Sequence, residues 1–480
     1  MKTRLLLLLV IAAIYLSVCT SPQKQINPEI PFLRKEGKAT QLFVDGQPYL
    51  VLGGELHNSS SSSRSYMEKF WPELKASGMN TVLAAVEWAL VEPEQGKFDF
   101  TIVDDLLEDA RNNDLRLILL WFGSWKNAQL HYIPDWLKTD IARYPRVMAD
   151  FGKSLEILSP FCNEGLENDK KAFTELMKHL KEVDSENRTV IMVQVENEVG
   201  VLGSPRDHSA AAEAAFNSPV PRELMDYLNK NKESLLPELS ETWKYSTYIN
   251  TIAKSGKEEY PLPMFVNAWL VQKTDKRPGD YPSGGPQAHM LDIWHAGAPD
   301  IDLYCPDIYR PEFEEICALY TRSDNPLFIP ESRAGDIGAG QFFYAIGRHN
   351  SIGYSPFGFE SRTKDVENDP ITKAYSIAST MSPVILDAQS KGTINSVLLN
   401  SSAKPSDEIT MGDYKILAEL PKGWGALSSS GNGYGIVISL SDDEFLFYGN
   451  NIQFSFSPAT PGPSIAAIAH ADEGVFGNGN

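Results

Sequence analysis

Short apolar runs alternate with amphipathic stretches through the first three quarters of the chain. Eight of the runs read as strands: Tyr49–Leu56, Thr81–Trp88, Arg116–Phe122, Val190–Glu196, Met264–Trp269, Leu303–Ile308, Pro326–Glu331 and Gly353–Phe357. Several are nearly continuous rather than alternating, the pattern of parallel strands buried on both faces. Helical patterns lie between most of them, at Met67–Ser77, Ile102–Asn112 and Asp169–Glu182 among others. Eight such units over about 300 residues predict an α/β fold, a (β/α)8 TIM barrel with insertions. The alternative, an open doubly wound sheet, would want a glycine-rich turn after its first strand, and Gly53-Gly54-Glu55-Leu56 is a poor match.

The flanks differ from this pattern. Residues 23–40 read as a polar linker. Apolar runs on either side of Asp45-Gly46 then predict a hairpin. The Ser59–Ser63 tract reads as a flexible loop. Beyond about residue 385 the chain turns rich in Ser, Gly and Asn, with short alternating runs at Gly435–Leu440 and Glu444–Tyr448. The expected organisation is therefore a barrel over 23–385 and a small C-terminal β domain over 386–480. That domain ends in turn formers and is expected to be incomplete.

The start reads as an export signal over 1–22. Lys2 and Arg4 precede the apolar stretch Leu5–Val18, which stops at Cys19-Thr20-Ser21-Pro22. Leu16-Ser17-Val18-Cys19 also resembles a bacterial lipobox, although Val18 is larger than that pattern prefers. A lipid anchor through Cys19 and plain secretion both stay open. Either gives an exported protein: periplasmic, outer-membrane-anchored or extracellular.

Hydrophobic residues at 42% and charged residues at 22% are those of a globular chain. The net charge of −20 argues against nucleic acid as a partner and suits a neutral substrate such as a carbohydrate. Cys162, Cys305 and Cys317 have no CxxC spacing, so structural zinc is not expected. They read as buried free thiols, with a Cys305–Cys317 disulfide as the alternative. His57 lacks an HxH or HExxH partner, so no metal site is expected. Oligomeric state is not legible.

In an eight-stranded barrel the chemistry sits at the C-terminal ends of the strands. Two strands end clearly in carboxylates. The fourth runs into Glu196-Asn197-Glu198, and the seventh into Glu331-Ser332-Arg333. Regular alternation would put Glu196 and Glu198 on one side. Arg333 is close enough in sequence to bias the charge of Glu331. One protonated and one ionised carboxyl on facing strand ends are what glycoside hydrolysis requires. Trp125, Trp269, Tyr304 and Tyr309 could offer flat faces to a pyranose, and Asn267 and Asp307 could bind hydroxyls. Glu55, His57, Glu87 and Trp88 could line the same pocket. Core packing is the competing reading for each of these.

Asn197-Glu198 and Glu331 resemble the signature of glycoside hydrolase clan A. Val86-Glu87-Trp88-Ala89-Leu90-Val91-Glu92-Pro93-Glu94-Gln95-Gly96-Lys97-Phe98-Asp99-Phe100 is similar to the second-strand motif of family 35 β-galactosidases. The resemblance covers roughly residues 40 to 360, and the trailing β domain looks like one in a bacterial subgroup of that family. It implies Glu198 as acid/base, Glu331 as nucleophile and Asn197 as donor to the sugar 2-hydroxyl. The chain departs from the family pattern at Ala85, where members carry tyrosine, and at Gly123-Ser124-Trp125, where they carry Ala-Glu-Trp. Both segments normally touch the galactose.

The implied activity is that of a retaining β-galactosidase needing no cofactor. Another clan A β-glycosidase (a β-glucosidase or arabinopyranosidase) and a non-catalytic carbohydrate-binding protein are the alternatives.

Overall fold

The computed structural model describes residues 30–219, 221–228, 236–422, 431–462 and 465–474. The expected export segment with Cys19, and the last six residues of the β domain, lie outside them.

All eight expected strands form. They are β1 (Val51–Glu55), β2 (Thr81–Glu87), β3 (Arg116–Phe122), β4 (Val190–Val195), β5 (Met264–Trp269), β6 (Leu303–Asp307), β7 (Ile329–Ser332) and β8 (Gly353–Pro356). They pair in parallel in the order β6-β5-β4-β3-β2-β1-β8-β7. A parallel bridge between Ile308 and Ser332 closes the ring. Every parallel strand is covered on both faces, which is why the sequence runs are continuously apolar. Leu83, Ile118, Leu120, Phe122, Phe265, Leu303 and Phe328 fill the interior. Val82, Leu119, Val193, Val266 and Ile329 face the surrounding helices.

Residues 32–36 are not linker. Phe32–Glu36 pairs antiparallel with Ala39–Val44, which pairs in turn with Gln47–Tyr49. Only two residues of Phe32–Glu36 are apolar, so it carries little strand signal. Phe32 stacks on Phe43 at 5.2 Å, and the Arg34 guanidinium lies 4.0 Å from the centre of that ring. The expected hairpin turn forms with Asp45 and Gly46 both at positive φ. Leu42 and Val44 close the lower end of the barrel interior, and the Asp45 carboxylate pairs with Arg116 at 2.6 Å and Arg188 at 2.5 Å. Everything chemical is thereby left to the opposite end.

Two local expectations fail. Met67–Ser77 is two short helices, Arg64–Met67 and Trp71–Ala76. Pro72 sits in the first turn of the second, where its missing N–H leaves no helical bond unmade. The serine tract is pinned, since the Ser60 hydroxyl donates to Glu360 at 2.6 Å and that of Ser61 to the Ala85 carbonyl at 2.7 Å. Polarity suggested a loose loop, but each of these hydroxyls has a buried partner. Cys162, Cys305 and Cys317 are free, buried thiols. No helix among the described residues is long and apolar enough to cross a membrane.

The helix Pro370–Lys391 runs through residue 385 and ends at Gly392, whose φ of 72° caps it. Strand structure begins at Ile394. Two three-stranded antiparallel sheets follow, built from Ile394–Asn400, Asn432–Ser439 and Phe445–Asn450, and from Ser406–Met411, Tyr414–Glu419 and Gln453–Pro458. The first sheet packs on the helix Gly335–His349 that follows β7. There Phe343 stacks on Tyr434 at 5.8 Å. A Cβ at Gly347 would stand 2.7 Å from that of Ser396, so glycine lets strand and helix close.

Candidate active site

Regular strand geometry ends at Val195. Glu196 and Glu198 both take left-handed backbone, with φ of 64° and 47°, conformations that cost a non-glycine residue roughly 1–3 kcal/mol each. Three bonds hold this arrangement. Gln194 Nε2 donates to the Glu196 carbonyl at 3.0 Å, the Asn197 amide to the Trp125 carbonyl at 3.2 Å, and the Glu198 amide to Asn267 Oδ1 at 2.9 Å.

The two glutamates consequently do not share a role. The Glu196 carboxyl accepts from the backbone N–H groups of Ser124 and Trp125, at 3.0 and 2.8 Å. It also lies within hydrogen-bonding reach of Asp169; burial pushes both carboxyls up, and the charge of Asp169 adds to the rise of Glu196. Glu198 lies 6% exposed beneath the cavity mouth. Burial, then the charge of Glu331, push its carboxyl up to about 7, against the counter-pull of the Lys126 ammonium. Asn127 Nδ2 donates to its Oε2.

Glu331 owes its inward aim to an irregularity. Ile329 pairs with Tyr354 and Ser332 with Pro356, so β7 spends three steps where β8 spends two. That bulge re-aims the side chain, which strict alternation after the inward Phe328 would have turned outward. Tyr309 donates its hydroxyl to Glu331 Oε1 at 2.6 Å. The other oxygen, Oε2, is buried and meets no donor among the described residues. Arg333 does not reach the carboxylate. It is exposed, and its Nε donates to the Tyr309 carbonyl at 2.8 Å, holding that residue in place.

The remaining expected residues divide. Asn197 is fully buried, its Oδ1 taken by Lys126 Nζ at 2.9 Å and its Nδ2 without a partner among the described residues. Asn267 is a strut, since it accepts from the Glu198 amide and donates to Asp307 Oδ2 at 2.8 Å. Asp307 lies within hydrogen-bonding reach of Glu198, and burial and the surrounding carboxylates push it well above the usual range. Trp269 follows Phe265 and Asn267 on the inward row of β5 and is half-buried at the mouth. Glu87 is half-buried, pushed up to about 7 by burial. Trp125 and Tyr304 are not available to a ligand. Trp125 is fully buried between Tyr245 and Tyr248, with its indole N–H on the Leu158 carbonyl at 3.0 Å. Tyr304 packs on Trp294 outside the barrel. His57 is tied to Ser361 at 2.7 Å.

Lys126 and Asn127 escaped the sequence reading. They directly follow Gly123-Ser124-Trp125, the segment that departs from the family pattern, and that departure was the available signal. Lys126 is buried and is the cation that pulls against the raised carboxyls of both Glu55 and Glu198. Among the described residues no group of three or more His, Cys, Asp or Glu side chains is arranged to hold a metal ion.

This arrangement can deliver a proton from one strand end and an unencumbered carboxylate oxygen from another, into one cavity. Residues 41–254 match the family described as Glycosyl hydrolases family 35. The chain carries a family 35 glycosyl hydrolase domain. Residues 371–480 match a domain of unknown function, DUF5597. Among relatives of the family 35 domain, the β-galactosidase of Xanthomonas manihotis is 32% identical over 186 residues, which cover 37% of this chain and 28% of that protein. β-Galactosidase 13 of Arabidopsis thaliana is 28% identical over 209 residues, covering 41% of this chain and 23% of that one. The chain thus spans about a quarter of the length of these curated relatives. The crystal structure of a β-galactosidase from Bacillus circulans sp. alkalophilus shares the fold, with a TM-score of 0.53 at 15% identity over 71% of this chain and 57% of that one.

Within the family 35 domain the second-strand motif is largely structural. Fully buried Trp88 donates to Glu92 Oε2 at 2.8 Å, and Glu92 Oε1 accepts from the Gly96 amide at 2.6 Å. The specific order of that motif reflects this knot beside the site rather than contact with a ligand.

Proposed function

We propose that the protein is a retaining glycoside hydrolase that removes terminal β-D-galactosyl residues from oligosaccharides or polysaccharides. The observation that carries this reading is the contrast between two buried strand-end carboxyls. Glu331 Oε2 meets no donor among the described residues, while the Glu198 carboxyl is pushed up to about 7. Glu331 Oε2 attacks the anomeric carbon as the bond to the leaving oxygen breaks, and Glu198 gives that oxygen its proton. Water then adds to the anomeric carbon, Glu198 takes a proton from it, and the Glu331 carboxylate is released. Asn197 Nδ2 donates to the sugar 2-hydroxyl, Trp269 presents its ring face, and Glu87 lines the rim. The basic and then apolar start supports export, with Cys19 either lipidated or removed with the signal.

The test is the initial rate on a chromogenic β-D-galactoside for the mature chain and for Glu331→Ala. Turnover that the substitution abolishes supports both sugar and role. Ala85 and Ser124 stand where relatives place galactose-touching residues, which favours a second reading as another β-glycosidase. Faster turnover of β-glucosides or α-L-arabinopyranosides would select it.

A further inference from the structure

We propose that Glu55 is a specificity-determining residue that binds hydroxyls on the C3–C4 edge of the glycosyl unit, opposite the scissile bond. This rests on the proposed hydrolase reading and extends it to a residue with no part in the two-carboxylate chemistry.

Glu55 is the last residue of β1. Val51, Gly53 and Glu55 form the inward row of that strand. Val51 belongs to the interior core, and a Cβ at Gly53 would run into Ser355 and Leu83. The Glu55 side chain therefore rises inside the barrel, directly above the packed interior. It is 2% exposed. No described residue donates a hydrogen bond to its carboxyl, and its charged neighbours are Glu331, Lys126, Glu198 and Glu360. These come from β7, from the chain beyond β3 and β4, and from the chain beyond β8, so the carboxyl lies in the one cavity they share.

A buried carboxyl without a partner is costly to the fold and is retained where something outside the chain satisfies it. Contrast Glu196 and Asp169, equally buried, whose oxygens are all engaged by the protein. Position indicates the occupant. Round the closed ring β1 stands two strands from β7 and three from β4. A pyranose with C1 at Glu331 and its 2-hydroxyl at Asn197 turns its far edge towards β1. A carboxyl there engages two neighbouring hydroxyls, accepting from both when ionised and donating to one when protonated. It would thus do at strand one the work for which Gly123-Ser124-Trp125 offers no carboxylate.

The experiment is kcat/KM for the full chain, Glu55→Ala and Glu55→Gln on nitrophenyl β-D-galactoside and its 3-deoxy and 4-deoxy analogues, with nitrophenyl β-D-glucoside alongside. Glu55→Ala should lose at least about 100-fold on the galactoside. Its loss should be at least about tenfold smaller on whichever deoxy sugar lacks the bound hydroxyl, because residue and hydroxyl form one interaction. Equal losses on every sugar, or no loss, would overturn the inference and leave the hydrolase reading standing. Absence of turnover by the unmodified chain on all of these sugars would overturn both. Glu55→Gln keeps the side-chain volume, and its ratio across the same sugars decides the matter if the alanine variant does not fold.

Discussion

Lys126 Nζ donates to Asn197 Oδ1 at 2.9 Å, and this bond leaves Nδ2 as the end of the amide without a partner among the described residues. With Oδ1 occupied, Nδ2 is the atom left for the sugar in the proposed reaction. The same ammonium also lowers the proton affinity of Glu198. Lys126→Met should reduce kcat/KM about 10–100-fold by removing a charge-assisted bond. It should also move the alkaline limb of the pH–rate profile to higher pH, because Glu198 then keeps its proton longer. A limb that stays put or moves down would refute the coupling.

In the proposed reaction Glu198 must be protonated to assist the leaving group, and its carboxyl is pushed up to about 7. For the unmodified chain kcat/KM should therefore fall with rising pH through about 7. Glu198→Ala should lose far more activity on poor leaving groups than on activated ones, and should flatten that limb. Equal loss on both substrate types would remove the acid assignment.

Among the described residues the Tyr309 hydroxyl has one hydrogen-bond partner, Glu331 Oε1 at 2.6 Å. Tyr309→Phe should leave thermal stability nearly unchanged and lower kcat/KM about 10–100-fold. An unaltered rate would mean that the hydroxyl orients nothing of consequence.

The Asp169–Glu196 pair predicts a pH dependence of stability. Both carboxyls are raised by the fold, so the folded chain holds a proton that the unfolded chain releases near pH 4. The stabilisation is complete below that pH and is lost as pH rises towards the folded value. Asp169→Asn supplies a permanent donor in place of the shared proton. Melting temperatures from pH 5 to 9 should decline less steeply for this variant than for the parent, whatever its absolute stability. Parallel slopes would exclude a shared proton.

Gly347 lies where a strand of the β domain crosses a barrel helix. Gly347→Leu should cost about 1–3 kcal/mol through overpacking. Limited proteolysis should then cut first between Gly392 and the β domain. Cleavage within the barrel instead would show that the two parts do not rely on this contact.

The barrel was legible because burial on both faces writes itself into the sequence as eight continuous apolar runs. The positions of Glu198 and Glu331 followed from where those runs stop. What each side chain touches was not legible. Trp125 follows the end of β3 and Trp269 ends β5, yet the first is enclosed by Tyr245 and Tyr248 and the second is half-buried at the mouth. Nothing in their local sequence separates them, because the enclosing tyrosines belong to a helix about 120 residues away. Phe32–Glu36 was missed because its pairing, rather than its composition, makes it a strand. Lys126 was missed because a lone lysine after a strand ordinarily points to solvent.

The extra residue in β7 also sets a rule for copying. Grafting this carboxylate pair onto another barrel by matching residue types at strand ends would put the second glutamate into the helical layer. What has to be transplanted is the broken count between two neighbouring strands, and the glutamate comes with it.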